Sequence, residues 1–251
     1  MLDEVMLTEL EWYCINGETI RLQSGLSITP LTIDDILKKI GVTNYFRVIS
    51  ILNFTKKGLV DRSEWNRVKE ASLFEIITSD ITLINAYRTM FEVLLDTDDE
   101  VVYNKAYQGF IVHCGEKYCA IDSVNFDEII EVLKFCYCVS EDNAPESERE
   151  DLDDEIAQLL AEFEAEEEKI KKSKGDSGIT FGSIMESLPL IVPSLSIQDI
   201  KHLTIYQMIR LYLRSNHTIN AKNVYQGIYS GCIDTEKLDL EKYDLFRKIS
   251  H

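Results

Sequence analysis

One stretch divides this chain before any element is assigned. Residues 146–168, ESEREDLDDEIAQLLAEFEAEEE, hold 12 acids and one arginine, a net of −11. Carboxylates at that density are not buried without partners, so the stretch is expected to part the chain into a unit on either side of it. The whole chain of 251 residues carries −18, which leaves −7 for everything outside the stretch. Such a charge repels nucleic-acid phosphates and anionic membrane surfaces, and no apolar run approaches the ~20 residues of a membrane span. The N-terminal MLDEVML is acidic where a secretory signal is basic. These features predict a cytosolic protein that binds neither nucleic acid nor membrane.

The acidic stretch has a seam. Ile156, Leu159, Leu160, Phe163 and Ile170 recur at helical spacing, acids come early, and Lys169, Lys171 and Lys172 come late, which suits the helix dipole. The seam lasts about two heptads, short of a stable coiled coil. Residues 141–177 therefore read as an acidic linker with an amphipathic helix, flanked by the polar runs EDNAPESERE and SKGDSG. The seam residues Ile156, Leu159, Leu160 and Phe163 are candidates for docking into a partner's groove or against another helix. A solvated charge run and a mimic of DNA phosphates are the competing readings of the same stretch.

Residues 1–140 read as an α+β domain, mainly helical with short β-hairpins. EWYCINGETIRLQ predicts a hairpin turning at Asn16-Gly17, the pair suited to a type I′ turn. LTIDDILKKIG predicts a helix capped by Thr32 with Asp35 three residues on, its apolar face made by Ile33, Ile36, Leu37 and Ile40 and its end marked by Gly41. NYFRVISILNF predicts a second helix buried through Val48, Ile49 and Leu52, and SLFEIITSD a turn or short helix. Asp80 caps a longer helix lined by Leu83, Tyr87, Met90, Phe91 and Leu94. The period then changes to that of strands at Val101–Tyr103, Phe110–Cys114 and Lys117–Ile121, with Gly115-Glu116 as a tight turn. NFDEIIEVLKF returns to helix, with Asn125 as its cap and Phe126, Ile129, Ile130 and Leu133 as its stripe.

Residues 178–251 predict a small all-α domain. Thr180 or Gly182 opens a helix across 183–188, and Ser196/Asp199 and Thr204/Gln207 are spaced as capping boxes. Ile205, Met208, Ile209 and Tyr212 share a helical face, and Asn220 marks a further short helix around 224–228.

Little in the sequence points to catalysis. There is no G-x-S-x-G, no phosphate-binding glycine loop and no H-E-x-x-H. His113, Cys114, Cys119, Cys136 and Cys138 are potential zinc ligands without a paired C-x2-C, and the expectation is reduced, packed thiols. His113 beside Cys114, and His217 with Cys232, are the nucleophile pairings available. Neighbours on a strand face opposite ways, which counts against the first. The reading is non-enzymatic, with no cofactor and no metal.

Three stretches, in order, carry a family resemblance. ITPLTIDDILKKIG followed by NYFRVISIL resembles the early part of tail assembly proteins of tailed bacteriophages and prophages. AIDSVNFDEIIEVLKF resembles their middle, and LTIYQMIRLYLR resembles a segment near their C-terminal end, where a Leu-Thr-x-Tyr-Gln string precedes an apolar helix. The resemblance implies a tail assembly chaperone, acting in the host bacterial cytoplasm during virion morphogenesis. Such a protein binds the tape measure protein, recruits tail tube subunits, and in some members exists as short and frameshifted long forms. It adds Tyr206, Gln207 and Arg210 to the partner-binding residues and leaves homo-oligomerisation open. A virion structural protein of tail or neck, and an acidic DNA-mimic inhibitor of a host protein, are the alternatives.

Overall fold

A computed structural model describes residues 3–60, 68–95, 100–114, 117–139, 181–233 and 238–247. The linker expected at 141–177, with its seam of Ile156, Leu159, Leu160 and Phe163, lies outside the described residues, as does the turn at Gly115-Glu116.

The first element departs from expectation. Glu4–Asn16 is a helix, α1, although the sequence from Glu11 onward is expected to form a hairpin. Asp3 caps its start by accepting from the Met6 N–H at 2.8 Å. Gly17, at φ +68°, ends it with a left-handed cap whose N–H returns to the carbonyls of Cys14 and Tyr13. Asn-Gly supplies left-handed backbone equally to a hairpin turn and to a helix C-terminus. Here the acidic cap at residue 3 decides for the helix. A two-stranded hairpin does follow, β1 (Ile20–Arg21) against β2 (Ser27–Ile28), and its left-handed glycine is Gly25, at φ +85°.

Capping boxes then set the starts of several helices. Thr32 and Asp35 form one for α2 (Ile33–Asp35), which continues as a wide π-turn over Ile36–Ile40 and closes with Gly41 N–H on Ile36 O at 2.8 Å. Ile33 and Ile36 are buried on its face, while Leu37 turns outward, because the wider turn rotates the face that a 3.6-residue period would present. α3 (Val42–Leu52) and α4 (Lys56–Leu59) follow. Ser72 and Glu75 box α5 (Leu73–Ser79), and Asp80 caps α6 (Ile81–Leu94) by accepting from Thr82 N–H at 2.6 Å.

β3 (Val102–Asn104), β4 (Gly109–Cys114) and β5 (Lys117–Ile121) make an antiparallel sheet in the order 3-4-5. Phe110, Val112, Cys119 and Ile121 face the core from it. α7 (Phe126–Cys136) buries Phe126, Ile129, Ile130, Val132, Leu133 and Cys136. Asn125 does not cap it as expected. Its side chain accepts from Asp122 N–H and donates to Ala120 O, tying the strand-to-helix turn instead. The centre of this layer is aromatic: Phe74 lies 5.1 Å from Phe126, and Phe91 lies 5.3 Å from Phe110, between ring centroids. Pairs at these distances add to the area they bury.

The C-terminal helices are α8 (Phe181–Ile191), α9 (Ile197–Lys201) and α10 (Ile205–Tyr229). Ser196/Asp199 and Thr204/Gln207 form the expected boxes. The short helix expected from Asn220 does not exist separately, because α10 runs unbroken for 25 residues. An exposed Asn inside a helix costs only tenths of a kcal/mol, whereas stopping and renucleating costs far more. The described C-terminal helices share the core of the first 139 residues: Ile184, Leu188, Ile200, Ile205, Tyr206 and Met208 belong to the same buried cluster as Leu10, Ile33 and Phe126. The fold is thus α+β, helices with two small antiparallel sheets.

The box carboxylates make acid stability predictable. Burial alone would raise the Asp35 carboxyl, but hydrogen bonds from Thr32 and the Lys39 ammonium prevail and hold it below the ordinary range. Glu75 is lowered chiefly by the Ser72 N–H, and Asp199 by the Ser196 hydroxyl. Groups lowered by folding stabilise the protein above their unfolded values and lose that contribution as pH falls through the folded ones. Stability should therefore decline below about pH 4. In urea titrations at stepped pH, the variant D35N/E75Q/D199N should show a flatter decline than the parent.

Candidate partner-binding site

Tyr206, Gln207 and Arg210 lie together where α10 crosses α1 and α7. Tyr206 is fully buried, and its ring stacks on Phe135 at 5.4 Å with 22° between planes. Arg210 pairs with Glu11 of α1, and its guanidinium lies 5.9 Å from the Tyr206 ring centroid. Gln207 bonds two elements at once. Its Oε1 accepts from Thr204 N–H at 2.9 Å to complete the capping box, and its Nε2 donates to Ile15 O at 2.9 Å, at the end of α1. The interactions described for these three residues are made within the chain and hold α10 to α1 and α7.

That double role explains the residue type. The other boxes use acids: Asp35, Glu75 and Asp199. A carboxylate at 207 would complete the box but has no N–H for Ile15, and would bring a negative charge to the negative end of α1. Gly17 is matched to the same contact, since a Cβ there would sit 3.0 Å from Gln207 Nε2. Gln207→Glu should lower the stability of the whole chain by about 1–2 kcal/mol, measured by urea unfolding at pH 7.

The thiols separate into different environments. Cys14 of α1 and Cys136 of α7 are both fully buried, with Sγ atoms 3.7 Å apart. The contact with Cys14, with burial behind it, pushes the Cys136 thiol well above its ordinary value, and burial pushes Cys138 up to about 12. Thiols so raised stay protonated at neutral pH and are poor nucleophiles. Cys119 faces the core from β5, while His113 on β4 pairs with Tyr118 on the other face, their rings 4.9 Å apart. Among the described residues, no group of three or more His, Cys, Asp and Glu side chains is placed to hold a metal. His217 meets Asp244 O at 2.7 Å from the middle of α10, whereas exposed Cys232 lies beyond that helix's end, roughly 18 Å along the axis.

Among the described residues, two surfaces stand out first for partners. α1 is apolar on both sides: Leu10 and Cys14 face inward, while Val5, Trp12 and Ile15 are 69, 67 and 44% exposed. Val5 and Trp12 stand two turns apart on one side of the helix, with Ile15 a turn further on. Sequence reasoning missed this stripe because it placed Trp12 and Ile15 in a strand and Val5 in no element; Asp3 was the signal for the helix. The second surface is a groove of about 580 Å³ between α3 and α6. None of the described helices is long and apolar enough to cross a membrane.

Residues 169–249 match the family model described as the YomV second domain. The match covers α8 to α10 and the tail beyond, and associates the chain with phage-derived proteins. No curated protein and no solved structure matches the chain at a significant level.

Proposed function

We propose that this protein is a non-enzymatic tail assembly chaperone of a phage or prophage, acting in the host cytoplasm. It binds apolar helices of a tape measure protein and recruits tail tube subunits to them. The observation that carries the reading is the stripe of Val5, Trp12 and Ile15 on a body of net charge −18. A holdase needs both: an apolar face to take up another protein's helix, and charge to keep the complex dispersed. The phage-associated match of residues 169–249 and the order of the three resembling segments support the same reading.

Co-expression with the tape measure protein of the same phage tests it. The parent chain should co-purify with the tape measure protein and be absent from finished particles. The V5S/W12S/I15S variant should fold, as judged by an unchanged unfolding midpoint, and capture at least about tenfold less, given ~25 cal/mol per Å² of apolar area withheld. Replacing Ile156, Leu159, Leu160 and Phe163 with Ser should also weaken capture. Abundance in particles would make the chain a structural component instead. Salt-sensitive competition with DNA for a host protein would favour mimicry.

Recruitment of the tube subunit is assigned to the C-terminal helices. Deleting them would open the shared core at Ile200, Ile205, Tyr206 and Met208, so the test uses surface changes. Tyr229 and Phe246 are 87 and 92% exposed. Y229S/F246S should bind the tape measure protein normally and retain less tube protein in a three-component pull-down.

A further inference from the structure

The groove between α3 and α6 is unlike the rest of this acidic surface. Its floor is apolar, formed by Ile40, Val48 and Ile51 on one side and Ala86 and Val93 on the other. Its charged lining residues are Lys39 and Arg47; no carboxylate is among them, although the chain holds 44 acids to 26 bases. Lys39 shares its ammonium with Asp35 at 3.3 Å, and both cations are exposed. An apolar trough with a basic rim fits an occupant that is apolar along a seam and acidic beside it.

The chain itself contains such an occupant. Residues 146–168 combine Ile156, Leu159, Leu160 and Phe163 with a net charge of −11. The described chain breaks off at Val139 and resumes at Phe181. Just before the break, the Tyr137 hydroxyl donates to Leu94 O at 3.2 Å, one residue from Val93 of the groove. The Tyr137 ring lies 6.3 Å from Tyr45, beside Asn44 of the groove. Seventeen residue steps separate Val139 from Ile156, and eighteen separate Phe163 from Phe181. Each tether can span roughly 55 Å when extended, so reach does not limit docking.

We propose that the groove between α3 and α6 holds this chain's own acidic segment, with the 156–163 seam on the apolar floor and flanking carboxylates against Lys39 and Arg47. The assignment does not depend on the chaperone reading. It adds that a partner recruited to the seam must first displace it from the groove.

Zero-length carbodiimide coupling of the full-length protein, followed by peptide mass spectrometry, tests the contact. Lys39 should couple to carboxylates of 146–168 within one chain, at least threefold more than Lys105 and Lys117 on the sheet do. The yield should be independent of protein concentration. Arg47→Glu, which leaves the Lys39 amine in place, should reduce the Lys39 product at least threefold, as should I156S/L159S/L160S/F163S. Both variants change exposed or linker positions, and a preserved unfolding midpoint separates loss of docking from loss of fold. Equal coupling at Lys39, Lys105 and Lys117, or a Lys39 yield indifferent to both variants, would overturn the proposal. Coupling found only between chains would replace it with docking between two copies. Failure of this contact leaves tape-measure capture through α1 intact, so the two readings fail separately.

Discussion

Two helix starts lie back to back at the join of this molecule. Thr32 and Thr204 each hold extended backbone as N-caps, and that geometry lets them pair as an isolated antiparallel bridge, with Ile33 N–H donating to Leu203 O at 2.9 Å. A capping residue must leave the helical region for its side chain to reach the third N–H. The chain uses that departure twice, on facing segments, to make one bridge. From it α2 and α10 diverge into the same core, and α10 is aimed along α1. Arg210–Glu11, Gln207–Ile15 and the Tyr206–Phe135 stack all follow from that direction.

Local signals in the sequence translate well into this fold. Thr32/Asp35, Ser196/Asp199, Thr204/Gln207 and Asp80 mark helix starts, because capping is settled within four residues. The three strands are legible for a similar reason: Phe110 and Val112 alternate with outward neighbours and give the period away. Asn16-Gly17 misleads because the same left-handed backbone serves two structures, and only the distant cap at Asp3 separates them. Asn220 misleads because a capping residue on an exposed helix side is cheap to leave uncapped.

The candidate site is less legible than the fold. Tyr206, Gln207 and Arg210 stand out in the sequence as a string, yet Gln207 and Arg210 reach Ile15 and Glu11, about 200 positions earlier, and Tyr206 stacks on Phe135. Periodicity shows which face of a helix is apolar, not whether another part of the chain covers it. α1 illustrates the difference: its inward side meets Cys136 and α10, while Val5 and Trp12 on its outward side stay exposed.

The bond from Gln207 to Ile15 spans 192 positions, and the pair of Arg210 with Glu11 spans 199. A ribosome therefore releases α1 long before its counterpart exists. Until α10 emerges, Glu11 and the Ile15 carbonyl lack Arg210 and Gln207, and contacts this distant in sequence form slowly even in a finished chain. A product ending before α10 would lack the Gln207 bond to Ile15, the Arg210 pair with Glu11 and the Tyr206 ring that stacks on Phe135. Completion of the fold described is thus coupled to translation of α10.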